Sequence, residues 1–187
     1  MYLSISILAG LCLLTRATAI DKANSSDLAA GTSPIFTEVP PVKVADPYVI
    51  QAITQKLSLY DIAIDTKNFS ALSSTFADDV VANVAPFPIE DLASYEAFLE
   101  DDLALSKTQH TTTTVFAYDI ETSSAKSISY SDAVYFGQGS ALGQTFTYFE
   151  RFDDVWSKGA DGPWKISERT LTIFVSTSKG PIAILFQ

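Results

Sequence analysis

Hydrophobic positions recur at helical spacing in the first half of the chain, while in the second half they crowd into stretches of strand-forming residues. Asp46-Pro47 supplies an N-cap followed by proline at the first helical position. From there Ile50, Ile53, Leu57, Tyr60 and Ile64 recur at steps of three and four, which predicts a helix with one buried face, interrupted at Asp65-Thr66-Lys67-Asn68. A short second helix is predicted through Ala71, Leu72 and Phe76, ending at Asp78-Asp79. A short strand on Val80, Val81 and Val84 follows, stopped by Pro86 and Pro88. Residues 89–105 carry Leu92, Tyr95, Phe98, Leu99 and Leu103 with acids between, the pattern of a third helix.

Beyond this point the pattern changes for good. Four stretches, roughly 109–121, 126–137, 144–157 and 163–178, are dense in Thr, Val, Ile, Tyr, Phe and Trp, and the spacers between them are short and turn-forming. Helices first and a strand meander afterwards predict an α+β fold, with helices packed on one face of a curved antiparallel sheet and a pocket between them. In the threonine run 111–114, alternate side chains are expected to face opposite sides of the sheet.

The opening of the chain stands apart from both patterns. An apolar run over residues 3–14, followed by Ala17-Thr18-Ala19, reads as a signal peptide cleaved after Ala19; the run is too short for a stable membrane span. Residues 20–45, with Pro34 and Pro40-Pro41, read as a flexible arm, and residues 46–187 as the folded domain. The expected location is therefore extracellular, with no membrane attachment after cleavage. Cleavage removes Cys12, the one cysteine, so disulfides, thiolate nucleophiles and Cys-ligated zinc are excluded from the exported chain. Two sequons, at Asn24 and Asn68, are candidate glycosylation sites.

The formal net charge of −10 disfavours nucleic acid and anionic membrane surfaces as partners and leaves a neutral small molecule as the easy one. No G-x-S-x-G, H-E-x-x-H, P-loop or Rossmann pattern is present, and the single histidine precludes a His-rich metal site within one chain. The acidic doublets Asp78-Asp79, Asp101-Asp102 and Asp153-Asp154 lack EF-hand spacing. Neither a metal nor a cofactor is expected.

Several segments together resemble the SnoaL-like branch of the nuclear transport factor 2-like superfamily, which includes scytalone dehydratase. The first helix through Tyr60, Asp61 and Asp65, followed by Asn68-Phe69 and Phe76-Ala77-Asp78-Asp79, is similar to that family's opening helix and corner. Thr108-Gln109-His110 resembles the start of its long strand, and the segments 151–154 and 164–169 resemble its last two strands. The resemblance implies a cone with one cavity. It places Asp65 and His110 where scytalone dehydratase keeps a carboxylate and one of its two histidines. That enzyme's tyrosine position is Ile64 here, and its second histidine has no counterpart.

His110 carries the side chain best suited to proton transfer near neutral pH, able to remove a proton alpha to a carbonyl and return it to a leaving hydroxyl. Its bland alternative is a strand-edge histidine in contact with solvent. Asp65, at a helix C-terminus where the dipole disfavours an anion, calls for a compensating contact that a hydrogen bond from His110 would supply; the alternative is an ordinary turn aspartate. Tyr60, Tyr135, Tyr148 and Trp156 offer hydroxyls or stacking faces to a ligand, or simply core packing. Arg169 could reach a ligand carboxylate or end in a surface salt bridge. The expectation is a secreted protein that binds a small apolar or aromatic molecule, with cofactor-free dehydration or isomerisation through Asp65 and His110. The alternatives are ligand binding without chemistry and a structural homodimer paired through the exposed sheet face.

Overall fold

The computed structural model of the chain describes residues 46–84, 88–174 and 178–186; the predicted signal segment, the arm, Asn24 and the strand stop at Pro86 lie outside them. The helices are α1 (Pro47–Asp65) and α2 (Leu92–Leu103), and the strands are β1 (Phe76–Asn83), β2 (Lys107–Tyr118), β3 (Ser124–Phe136), β4 (Thr145–Lys158) and β5 (Trp164–Ile173). Short 3-10 turns lie at Phe69–Ser74, Gly139–Ala141 and Ile182–Phe186.

Helix α1 begins where the Asp46 side chain accepts from the Tyr48 N–H at 2.9 Å, with Pro47 already shaped for the first turn. It buries Ile53, Leu57, Tyr60 and Ile64, as the spacing predicts, and also Asp61. At its C-terminus Lys67 takes a left-handed φ of 60°, and the N–H groups of Lys67 and Asn68 close back on the carbonyls of Ile64 and Ala63 at 3.3 and 2.9 Å. This is a Schellman-type stop built without glycine.

The predicted second helix is a single 3-10 turn, and Phe76 opens β1 instead of continuing it, so Asp78-Asp79 lies within the strand. Leu72 and Phe76 sit four apart, which reads as helical, but Ser73-Ser74-Thr75 holds the backbone poorly in a helix. Phe76 then gains a register partner, Ile166 on β5. The third helix is shorter than predicted: Asp91 caps it through the Ser94 N–H, while Ile89 forms a bridge with Ala82.

The five strands form one sheet in the order β1-β5-β4-β3-β2. Neighbours are antiparallel except β1 and β5, which pair in parallel, a departure from the purely antiparallel expectation. The chain after α1 reaches the far edge of the sheet before the meander begins, so β1 closes beside the last strand. Helix α1 lies against β2 and β5 and α2 against β1, which puts both on one face of the sheet. On that face β3 presents only short side chains at mid-length, Ser127, Ser129, Ser131 and Ala133, all buried. Strand β4 presents Phe146, Tyr148, Glu150, Phe152, Asp154 and Trp156 at the same parity. Threonine alternation in β2 holds up to Thr112; a bulge between Thr112 and Thr114 then resets which side chains turn inward.

Candidate active site

Strand β2 is an edge strand, and its outward N–H groups need partners that no further strand supplies. Helix α1 supplies them. The Asp65 carboxylate accepts from the His110 N–H at 2.8 Å, and Asp61 accepts from the Thr112 N–H at 3.0 Å. Four residues of helix advance about 6 Å, close to the roughly 6.8 Å that two residues of strand advance. The spacing of Asp61 and Asp65 therefore matches the spacing of the N–H groups they meet. Like charges four apart on a helix repel, and the seam against β2 is what offsets that repulsion.

The same seam fixes the imidazole. His110 Nδ1 lies 2.7 Å from Asp65 Oδ1, which also accepts from Thr108 Oγ1 at 2.9 Å. Lys67 Nζ in turn donates to Thr108 Oγ1 at 2.9 Å, bringing a cation to the end of the helix where Asp65 sits against the dipole. Burial pushes the Asp65 carboxyl up, but the hydrogen bonds from the His110 ring and backbone and from Thr108 outweigh it and hold the group below the ordinary aspartate range. An ionised carboxylate only accepts, so Nδ1 carries the proton and the neutral ring is left with its lone pair on Nε2. The His110 side chain is only 5% exposed and that of Asp65 21%. Neither is the solvated strand-edge or turn residue of the bland reading.

Two acids that the sequence reading passed over share this face. Asp61 is buried, and desolvation raises its carboxyl even though the Thr112 hydroxyl and N–H both donate to it. Glu150 is 4% exposed, lies opposite Ser131, which lies opposite Thr112 on the other side, and is pushed up to about 7 by burial. The His110 and Arg169 charges pull Glu150 back down and Asp61 pushes it further up. Among the described residues, Glu150 Oε2, Ser129 Oγ, Ser131 Oγ and Arg169 Nη1 are buried without a hydrogen-bond partner, a costly condition. A signal for Glu150 was present: it shares the parity of Phe146, Tyr148, Phe152 and Trp156, the inward aromatic series of β4.

The other predicted residues divide. Tyr60 is buried, touching Tyr95 through the two hydroxyls at 3.4 Å and meeting Phe76 and Phe152 edge to face. The hydroxyls of Tyr148 and Tyr135 meet at 3.1 Å, and burial raises both phenols, so they act as hydrogen-bonding groups and not as bases. Trp156 is fully buried and donates to Ser127 Oγ at 2.8 Å. Arg169 is not at the sheet surface, and its salt bridge is a buried one. It donates through Nε and Nη2 to Asp154 at 2.7 and 2.9 Å, both side chains at 0% exposure, with the rings of Tyr60, Phe76 and Phe152 within 4.9 Å of its guanidinium carbon. Asn68 is exposed at the turn after α1, accepting from its sequon partner Ser70 at 3.1 Å.

A depression of about 360 Å³ lies beside the β3–β4 turn, lined by Lys107, Gln138, Leu142 and neighbouring backbone, and Lys107 is the one charged residue in its lining. Among the described residues no group of three or more His, Cys, Asp or Glu is placed to hold a metal ion, and no helix is long and apolar enough to cross a membrane.

Comparison with solved structures gives the same architecture. A candidate scytalone dehydratase from Novosphingobium aromaticivorans superposes with a TM-score of 0.61 at 19% identity, covering 72% of this chain and 88% of the other. A hexachlorocyclohexane dehydrochlorinase, LinA type 2, gives 0.62 at 15% identity, covering 73% and 91%. ActVI-ORFA from Streptomyces coelicolor gives 0.59 at 18% identity, covering 68% and 98%. At these identities the likeness shows the fold, a nuclear transport factor 2-like cone. Sequence comparison with curated proteins gives no match. The model of the SnoaL-like domain matches residues 49–170, well over half of the chain and the whole span from α1 into β5, and the protein therefore belongs to the SnoaL-like family.

Proposed function

We propose that this protein binds a small, largely apolar or aromatic molecule between α1 and the sheet and carries out cofactor-free proton transfer on it, as a dehydratase or isomerase. The observation that carries the reading is the 2.7 Å contact between Asp65 and His110 on a nearly buried ring, with the His110 backbone held by the same carboxylate. Asp65 is a positioning residue; Nε2 of His110 is the acid/base. In dehydration, Nε2 takes a proton alpha to a carbonyl, the electron pair expels the β-hydroxyl, and the imidazolium returns the proton to it as water departs. The solved proteins of this fold whose names include a dehydratase and a dehydrochlorinase support an elimination chemistry.

The test does not need the natural substrate. 5-Nitrobenzisoxazole is a small aromatic whose C3 proton, once removed, leads to N–O cleavage and a coloured phenolate, with no other reagent. The native protein is expected to accelerate this ring opening by about 10²-fold or more over His110→Gln, with Asp65→Asn intermediate. Equal rates for native protein and His110→Gln would overturn the acid/base reading.

A second reading, ligand binding without chemistry, is favoured by one observation: His110 is the only histidine and position 64 is Ile. In either case we propose export after cleavage at Ala19, with Asn68 glycosylated. Mass spectrometry of the protein recovered from medium checks both. Pairing of two copies through the outer sheet face is checked by light scattering, where a strictly monomeric result at high concentration removes it.

A further inference from the structure

Glu150 is a buried acid on the inner face that the dyad chemistry does not use and whose hydrogen bonds the fold does not complete. It is buried at 4% exposure at the centre of β4, and its Oε2 has no hydrogen-bond partner among the described residues. The two hydroxyls nearest along the neighbouring strand, Ser131 directly opposite and Ser129 two residues on, are also buried and without partners. Three such oxygens in adjacent positions of two paired strands are not a packing device, because each loses its hydration on folding with nothing in return.

The surroundings define what would satisfy them. Tyr148 and Phe152 flank Glu150 on its own strand, while β3 presents only the short side chains of Ser129, Ser131 and Ala133 opposite them. The charges facing Glu150 are Asp61 from α1, His110 from β2 and Arg169 from β5, with the phenols of Tyr135 and Tyr148 beside it. Arg169 pairs with Asp154 through Nε and Nη2, and its Nη1 is buried without a partner. Asp65 and Asp61 add negative potential from the helix side. An anionic ligand would therefore meet three carboxylates, Glu150, Asp61 and Asp65, against an arginine whose charge Asp154 already balances, whereas a hydroxyl would meet acceptors.

Resting on the reading of this interior as a ligand site, we propose that Glu150, with Ser129 and Ser131, is a specificity-determining anchor. It takes a neutral, hydrogen-bond-donating group such as a ring hydroxyl and excludes carboxylate-bearing ligands. Glu150 titrates near 7, so the exclusion strengthens between pH 6 and pH 8 as the group ionises.

The test uses two probes of one shape, 2-naphthol and 2-naphthoate, titrated into the native protein and into Glu150→Gln at pH 6 and pH 8. Native protein is expected to bind naphthol at least about tenfold more tightly than naphthoate at pH 8, less so at pH 6, since like charges brought together in a desolvated site are costly. In Glu150→Gln the ratio is expected to fall to within about threefold and to lose its pH dependence. Infrared difference spectra give a second reading: naphthol should shift the carbonyl band of protonated Glu150, a band missing from Glu150→Gln. A ratio near one in native protein, a ratio unchanged by Glu150→Gln, or an unmoved carbonyl band overturns the anchor while leaving the ligand site standing. If neither probe binds native protein at millimolar concentration, the ligand site itself falls and the anchor with it.

Discussion

Glu150 and Asp154 lie on one strand, face the same side, and are 4% and 2% exposed. Asp154 meets the Arg169 guanidinium at two points, and three aromatic rings close around the pair. Glu150, four residues earlier, has an oxygen with no partner. Burial alone therefore does not distinguish an acid whose charge the fold answers from one whose charge it leaves unanswered. What distinguishes them is whether a cation meets the carboxylate, and here Asp154 is met by Arg169 where Tyr60, Phe76 and Phe152 fill the core, while Glu150 faces Asp61, His110 and the small side chains of β3.

The sharpest way to break the comparison is to remove one member of the satisfied pair. Arg169→Ala or Asp154→Ala strands a buried charge and is expected to cost about 3–5 kcal/mol of stability, read from urea unfolding midpoints. Replacing both residues with leucine should recover most of that, because a buried ion pair is often no more stable than apolar packing of the same volume.

At Glu150 the expected effect has the opposite sign. Its folded-state pKa, about 7, lies above the ordinary value of 4.5, so the folded protein holds the proton more tightly than the unfolded chain. Stability is then fullest below the unfolded pKa and falls as pH rises through about 7. Glu150→Gln removes that penalty and should be more stable than native protein at pH 8 by roughly 3 kcal/mol, an advantage that vanishes near pH 4. Thermal unfolding of the two proteins across this range checks it; a loss of stability at pH 8 would mean that the fold does satisfy the native carboxylate.

Much of this architecture was legible in the sequence. The face of α1 follows from periodicity, which burial enforces, the four long strands from their density in β-branched and aromatic residues between short turns, and Asp46-Pro47 begins the first helix as local chemistry dictates. The corner after α1 was misread because Leu72 and Phe76 have helical spacing, and only the pairing of Phe76 with Ile166, some ninety residues away, decides that Phe76 belongs to a strand. The positions of Asp65 and His110 were reachable through family resemblance, not periodicity. Asp61 and Glu150 escaped because an acid among apolar neighbours reads as solvated unless its parity is traced. Traced along β4, parity puts Glu150 and Asp154 on the aromatic side, but it cannot say that Arg169 answers one and nothing answers the other; that depends on the register of β4 with β5.

The helix–strand seam provides smaller tests. Asp61→Ala leaves the Thr112 N–H of an edge strand without its acceptor and is expected to cost about 1–3 kcal/mol, with hydrogen exchange at Thr112 accelerating more than at residues in the sheet centre. The smallest expected effect is at Asp65. Its folded pKa is depressed, so the stability it contributes is present above the unfolded value of about 3.9 and is lost as pH falls through the folded one. The acid limb of the stability curve should be shallower in Asp65→Asn than in native protein.

The central claim is that the fold delivers His110 as a base with Nε2 free because Asp65 holds Nδ1. Nitrogen-15 NMR of the imidazole tests it directly, since His110 is the only histidine and its two ring signals need no assignment. Above the pH at which the ring becomes neutral, the account predicts a single Nδ1–H tautomer with a strongly hydrogen-bonded proton, weakened in Asp65→Asn. A ring carrying its proton on Nε2, or averaging between the two tautomers in native protein, would contradict it.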